Sequence, residues 1–208
     1  MAFPNTPVLD SFNAGASQAL TARTGWDSTI MRPGLLTLTT DSVPTKAVST
    51  VAGKSNVWND PKVRDSETWC TLADWTAGTH QLYLSTRVTN QTSAWELYCL
   101  QIGPAANYFQ LIRFKAGGGA GTAALGSNQL VTCATGDSIG IRVVGTTIEA
   151  HRKPAAGAWA LVYSVVDTAA AAFTTPGKYG GVFLYGGNID EMGGGAIPQE
   201  LAISGVGR

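Results

Sequence analysis

The chain has 208 residues, 44% of them hydrophobic and 13% charged, and its 14 basic and 14 acidic side chains give a formal net charge of zero. That length and apolar content support one well-cored domain and argue against disorder. A surface so poor in clustered Lys and Arg excludes phosphate-backbone binding, so nucleic acid is not an expected partner and recognition must rest on neutral hydrogen bonds and aromatic contact.

The first twenty residues, MAFPNTPVLDSFNAGASQAL, lack a basic start and are interrupted by Pro4, Pro7 and Asp10, so no signal peptide is read there and export by the ordinary secretory route is not expected. Residues 1–7 are expected to form an extended arm, because the prolines prevent regular strand pairing. Apolar stretches are only a few residues long, against the roughly 20 needed to cross a bilayer, so no membrane partner is expected.

Period two dominates the rest of the chain. In QLYLSTRV, Leu82, Leu84, Thr86 and Val88 fall on one face and Tyr83, Ser85 and Arg87 on the other, as a strand between core and solvent requires. AWELYCLQI (94–102) is apolar on both faces and is predicted to be a central strand covered on both sides. YFQLIRF (108–114) and WALVYSVV (159–166) are rich in aromatic and β-branched residues and also read as strands. Turn signals separate them: Pro33-Gly34, Gly103-Pro104, the AGGGAG tip at 116–121, Gly145-Thr146, Pro176-Gly177 and Gly186-Gly187-Asn188. The segment DTAAAAF at 167–173 has room for a helical turn or two. No linker marks a boundary, so residues 8–208 are expected to be a single all-β domain.

Residues 136–140, GDSIG, match the Gly-x-Ser-x-Gly of serine hydrolases. A nucleophile elbow needs a strand before the serine and a helix after it. Here Ile139, Ile141 and Val143 alternate with Gly140 and Arg142, Gly145-Thr146 turns the chain, and TIEAHRK returns with Ile148 and Ala150 on one face. Ser138 is therefore expected to open a hairpin, and no catalytic residue is assigned. Cys70, Cys99 and Cys133 are an odd number at wide spacing, which points to buried thiols. His80 and His151 lack partners at metal-ligand spacing and are read as surface or sheet-face residues. No metal site and no cofactor is predicted.

Several segments carry a resemblance to a known superfamily. VLDSFNAG (8–15) is similar to an opening D-x-F-x-R strand, with Ala14 in the place of the Arg, and SNVWNDPKVRDSETWCTL (55–72) is similar to an N-x-x-W-N stretch followed by an acidic segment and a strand. YFQLIRFKAGGGAGTAALG and GDSIGIRVVGTTIEAHRK match two successive hairpins, and KYGGVFLYGG with ELAISGV matches closing strands. On these the chain resembles the concanavalin A-like lectin/glucanase superfamily, in particular the laminin-G-like jelly rolls of bacterial surface and bacteriophage virion proteins. The resemblance implies a sandwich of two antiparallel sheets with the first and last strands adjacent.

Glycan-cleaving members of that superfamily use acidic residues clustered along one strand. The nearest groupings here are Asp65 with Glu67, expected at a solvated edge, and Asp190 with Glu191, expected in a loop or as a calcium ligand. Neither makes the cluster, so the chain is expected not to be an enzyme. Trp58 and Asn59 in SNVWND, and Trp75 in ADWTAGTH, sit beside polar turn residues and are the candidate ligand contacts, since aromatic faces flanked by Asn and Asp suit sugar rings. The resemblance implies a bacteriophage virion protein, a capsid decoration or tail-associated subunit, located on the virion after synthesis in the host cytoplasm. Its expected partners are other capsid or tail subunits in an oligomeric setting, with the 1–7 arm docking on a neighbour, and host polysaccharide as a further ligand. The alternative is an extracellular carbohydrate-binding module of a bacterial surface or polysaccharide-degrading system.

Overall fold

The computed structural model describes residues 2–12, 19–26, 39–40, 47–48, 54–57, 65–76, 79–88, 96–103, 108–115, 122–169, 180–185 and 187–197. Two antiparallel sheets stack face to face in the jelly-roll manner expected from the alternation. The eight-stranded sheet runs β12 (Ala160–Val166), β11 (Thr147–Lys153), β10 (Ser138–Val144), β5 (Ser66–Asp74), β14 (Asn188–Ala196), β3 (Ala47–Val48) and β2 (Thr39–Thr40), with β1 (Val8–Asp10) also pairing β14. The six-stranded sheet runs β4 (Lys54–Val57), β13 (Gly181–Tyr185), β6 (Gln81–Thr86), β7 (Glu96–Ile102), β8 (Tyr108–Lys115) and β9 (Ala123–Leu130). Among the described residues the only helix is a three-residue 3-10 turn, Leu20–Ala22, and none is long and apolar enough to cross a membrane.

Between the sheets lies one core. It takes Cys70 and Leu72 from β5, Ile139, Ile141 and Val143 from β10, Ile148 and Ala150 from β11 and Met192 from β14, against Leu82 and Leu84, Tyr98 and Leu100, Phe109 and Leu111, and Val182 and Leu184 from the other sheet. β7 is central as predicted: Tyr98, Leu100 and Ile102 enter this core, while Leu97 and Cys99 are buried on the opposite face with Val88. Polar bridges cross between the layers. The Ser66 and Thr86 hydroxyls lie 2.7 Å apart, and Tyr98 donates to Asp167, which also receives Arg113 at 2.6 Å. A bulge between Phe109 and Leu111 frees the Leu111 amide, which donates to the Tyr163 hydroxyl.

The GDSIG stretch opens the hairpin that its alternation predicts. β10 and β11 pair from Ser138 with Lys153 to Val144 with Thr147, Gly145 turns with φ 56°, and Ser138 sits 2.9 Å from the Thr71 hydroxyl. The preceding turn is held by Asp137, whose carboxylate accepts from the Ala134 and Ala155 amides and from Arg152. The first described strand, β1, lies beside the last, β14, with Val8 opposite Gly193. Asp10 of the D-x-F segment accepts from the Phe12 amide, the Arg23 guanidinium and the Trp26 indole, which ties the entry of the chain to the 3-10 turn. The AGGGAG tip, the DTAAAAF segment beyond residue 169 and the ELAISGV tail lie outside the described residues.

Three expectations are corrected. Glu67 is not at a solvated edge: it is 0% exposed, faces Arg142 on β10 at 2.6 Å, and accepts from the Asn5 and Thr6 amides and the Thr6 hydroxyl. Asp65 is partly buried and binds Arg87 and the Gly145 amide. Asp190 and Glu191 are not in a loop but within β14, where register shifts on either side of Ile189 break the period that would have announced a strand. Residues 2–6 of the expected 1–7 arm bend at Phe3 and Thr6 and are spent on the chain's own eight-stranded sheet.

Candidate functional site

Alternation on the six-stranded sheet sends one set of side chains into the core and the other to the outer face. Pairing register then decides which outer residues become neighbours. Phe183 on β13 stands opposite Tyr83 on β6, Tyr83 opposite Gln101 on β7, and Gln101 opposite Gln110 on β8. At about 4.8 Å between strands, the row spans roughly 14 Å, wide enough for two or three sugar rings laid across the strands. Two rings meet edge to face at 5.2 Å, and the Gln81 amide donates to the Tyr83 hydroxyl at 2.9 Å, which fixes the phenol within the row.

The row carries no formal charge. The ion pair of Glu96 with Lys115, at 2.9 Å, lies five residues along β7 and β8 and on the opposite side of the sheet. Beside the row on the same face lies the small apolar cluster of Val88, Leu97 and Cys99, with Tyr83, Phe183, Ile112 and Phe114 against it. Gln101 is 8% exposed, and no described residue hydrogen-bonds its amide. A carboxamide brings both a donor and an acceptor. Aromatic faces beside neutral amides match a ligand with axial C–H groups and many hydroxyls.

Trp58 and Asn59 lie outside the described residues. Trp75 is in the core, 7% exposed, with its ring edge-on to His80 at 5.7 Å and its amide on the Thr135 hydroxyl. A ring covered in this way offers no face for stacking, so the polar turn residues beside it were a misleading signal. Tyr83 had been read only as a solvent-side residue; the alternation in QLYLSTRV marks its face, but nothing local to the sequence brings Gln101 and Gln110 beside it.

Among the described residues the buried carboxylates are occupied. Asp10 pairs with Arg23, Glu67 with Arg142, Asp137 with Arg152 and Asp167 with Arg113, all between 2.6 and 2.7 Å. His151 is committed to Glu149 at 3.0 Å and to the Phe3 ring, and the hydrogen bond from His151 holds the Glu149 carboxyl below its usual range. Among the described residues no three His, Cys, Asp or Glu side chains converge where they could hold a metal ion. A depression of about 390 Å³ lined by Leu9, Asp10, Ala22, Arg23 and Thr24 has its charged groups already paired with each other.

No family model matches the sequence, and no curated protein matches it. Solved structures do match in fold. The immunostimulatory antigen and pseudo-β-1,3-glucanase Rv0315 of Mycobacterium tuberculosis superposes with a TM-score of 0.56 at 10% identity, covering 91% of this chain and 98% of that one. The exoplasmic/lumenal domain of VIP36 superposes in its metal-free form with a TM-score of 0.53 at 9% identity, covering 76% and 82% of the two chains. Its Ca²⁺/Man3GlcNAc-bound form gives 0.52 at 11% identity, covering 77% and 84%. The fold is thus shared with these proteins, a jelly-roll sandwich of two antiparallel sheets, as the strand and turn motifs implied.

Proposed function

We propose that this chain is a non-enzymatic glycan-binding jelly roll that contacts saccharide through the outer face of its six-stranded sheet, and that it serves on a bacteriophage particle as a capsid decoration or tail-associated protein. The observation that carries the binding reading is the row Phe183–Tyr83–Gln101–Gln110, which sets rings and neutral amides side by side with no formal charge. Net neutrality of the chain agrees with an uncharged, hydroxyl-rich ligand. Of the proteins sharing the fold, the VIP36 domain takes Man3GlcNAc with Ca²⁺. The non-enzymatic reading is supported by the buried carboxylates, which are tied to arginines and backbone amides where a glycosidase needs one carboxyl free to protonate a leaving group. The virion setting rests on the sequence resemblance, and the alternative remains a carbohydrate-binding module of a bacterial surface or polysaccharide-degrading system.

Calorimetric titration with a panel of host-envelope and plant polysaccharides tests the binding surface. Tyr83→Ala and Gln101→Ala are each expected to weaken binding at least tenfold. Affinity unchanged in both variants, or no binding across the panel, overturns the reading. Recovery of the protein with purified virus particles, at a fixed copy number, separates the virion setting from the free module.

A further inference from the structure

On the outer face of the eight-stranded sheet, register sets another row: Gly193 on β14, Trp69 on β5, Gly140 on β10, His151 on β11. Large rings alternate with glycines, so the gaps between rings are floored by bare backbone. Phe3 fills the gap over Gly140, where an added Cβ would meet its Cζ at 2.1 Å. Its ring stacks on His151 at 4.0 Å and 4°, takes the edge of Trp159 at 4.7 Å, and lies under the Arg142 guanidinium at 4.9 Å.

Flanking backbone is read as well. Arg142 donates to the Ala2 carbonyl at 2.8 Å, and Glu67 accepts from the Asn5 amide, the Thr6 amide and the Thr6 hydroxyl. The two residues that do this are each other's ion-pair partners, so the receptor is assembled whether or not a segment occupies it. Residues 2–6 join no strand ladder. They are held as a peptide ligand is held, by an aromatic slot, one guanidinium that donates to a carbonyl, and one carboxylate acceptor.

We infer that this face is a peptide receptor for an aromatic-Pro-x-Thr segment, filled within one chain by residues 2–6 and able to take the same segment from a second copy. The tether is short: the Pro7 carbonyl accepts from the Gly194 amide and Val8 stands opposite Gly193, so a copy that lends residues 2–6 releases β1 with them. Intramolecular docking has an effective concentration of order millimolar for a short connection, so the chain's own segment wins in dilute solution. Exchange becomes competitive where copies are held side by side at comparable local concentration, and it links them reciprocally.

Two full-length variants separate the halves of the contact. Phe3→Ala leaves the slot empty with the receptor intact; Gly140→Ala blocks the slot and frees a complete segment. Each alone is expected to be monomeric in native mass spectrometry, and their mixture to give a 1:1 complex that a mixture of two Phe3→Ala/Gly140→Ala preparations does not give. As a second measurement, the peptide Ala-Phe-Pro-Asn-Thr-Pro-Val should bind the Phe3→Ala chain and shift its tryptophan emission, with at least tenfold weaker binding by the same peptide carrying Ala in place of Phe; this needs no blocked variant. Variants that melt cooperatively yet stay monomeric when mixed, together with a peptide that moves nothing, overturn the inference.

Discussion

Arg142 and Glu67 face one another across neighbouring strands at 2.6 Å, with side chains only 4% and 0% exposed, and between them they hold residues 2, 5 and 6. Removing one member of a buried pair leaves the other charged and without its counter-charge, at a cost of about 3–5 kcal/mol. Arg142→Met should therefore lower the melting temperature by roughly 10 °C for a domain of this size. The double variant Glu67→Leu/Arg142→Met should lose less than the sum of the two single changes, as a urea-denaturation cycle will read.

Gly193 bears on the same face through a different ring. A Cβ there would lie 2.1 Å from Cε2 of Trp69, whose indole meets Trp159 edge to face at 6.4 Å. Gly193→Ala must displace the indole or bend β14, so a loss of about 1–3 kcal/mol is expected. Near-UV circular dichroism should show the tryptophan environment changing with it.

Acid should weaken the fold partly through Glu149. Its carboxyl is held below the ordinary 4.5 chiefly by the hydrogen bond from His151, with burial opposing. A group with a lowered folded-state value contributes stability that is fully present above its unfolded value and is lost as pH falls through the folded one. The gap in melting temperature between the native chain and Glu149→Gln should therefore be constant above about 4.5 and close as pH drops below it.

The thiols should be silent. Cys70, Cys99 and Cys133 are unpaired and buried, and burial pushes Cys99 and Cys133 up to about 12 and Cys70 further. Since the thiolate is the reactive form, a thiol reagent at pH 8 should label none in the folded chain and all three in urea. Rapid labelling without denaturant would contradict this burial.

Two strands bound the open flank. β9 and β12 end the described sheets, carry no charged residue, and expose Leu130 at 85%, Leu161 at 53% and Val166 at 59%. An uncharged apolar edge is a template for unwanted pairing, and lysine is the usual remedy. Leu161→Lys should raise the concentration at which the protein self-associates in sedimentation, while stability moves by no more than about 0.5 kcal/mol.

Side-chain alternation made much of the architecture legible in advance. Leu82 and Leu84 against Tyr83, the two apolar faces of residues 96–102, and the hairpin following Ser138 all follow from local period two, because a strand's two faces are written within a few residues. What stayed hidden depends on register between distant segments. Glu67 looked solvated because its partner lies 75 residues away, and Tyr83 looked like an ordinary exposed ring until Gln101 and Gln110 were aligned with it. Trp75 misled in the opposite direction, since polar neighbours in sequence say little about which way an indole turns.

Strand order has a consequence for biosynthesis. β14, the last described strand, sits inside its sheet with β5 on one side and β1 and β3 on the other. A nascent chain on the ribosome must keep β5 open along one edge, with β1 waiting, until the residues around 190 emerge. Long-range closure of this kind is slow and leaves apolar surface in view meanwhile. The sandwich is thus completed only once β14 has emerged, and a chain stopped short of that strand lacks the middle of its larger sheet.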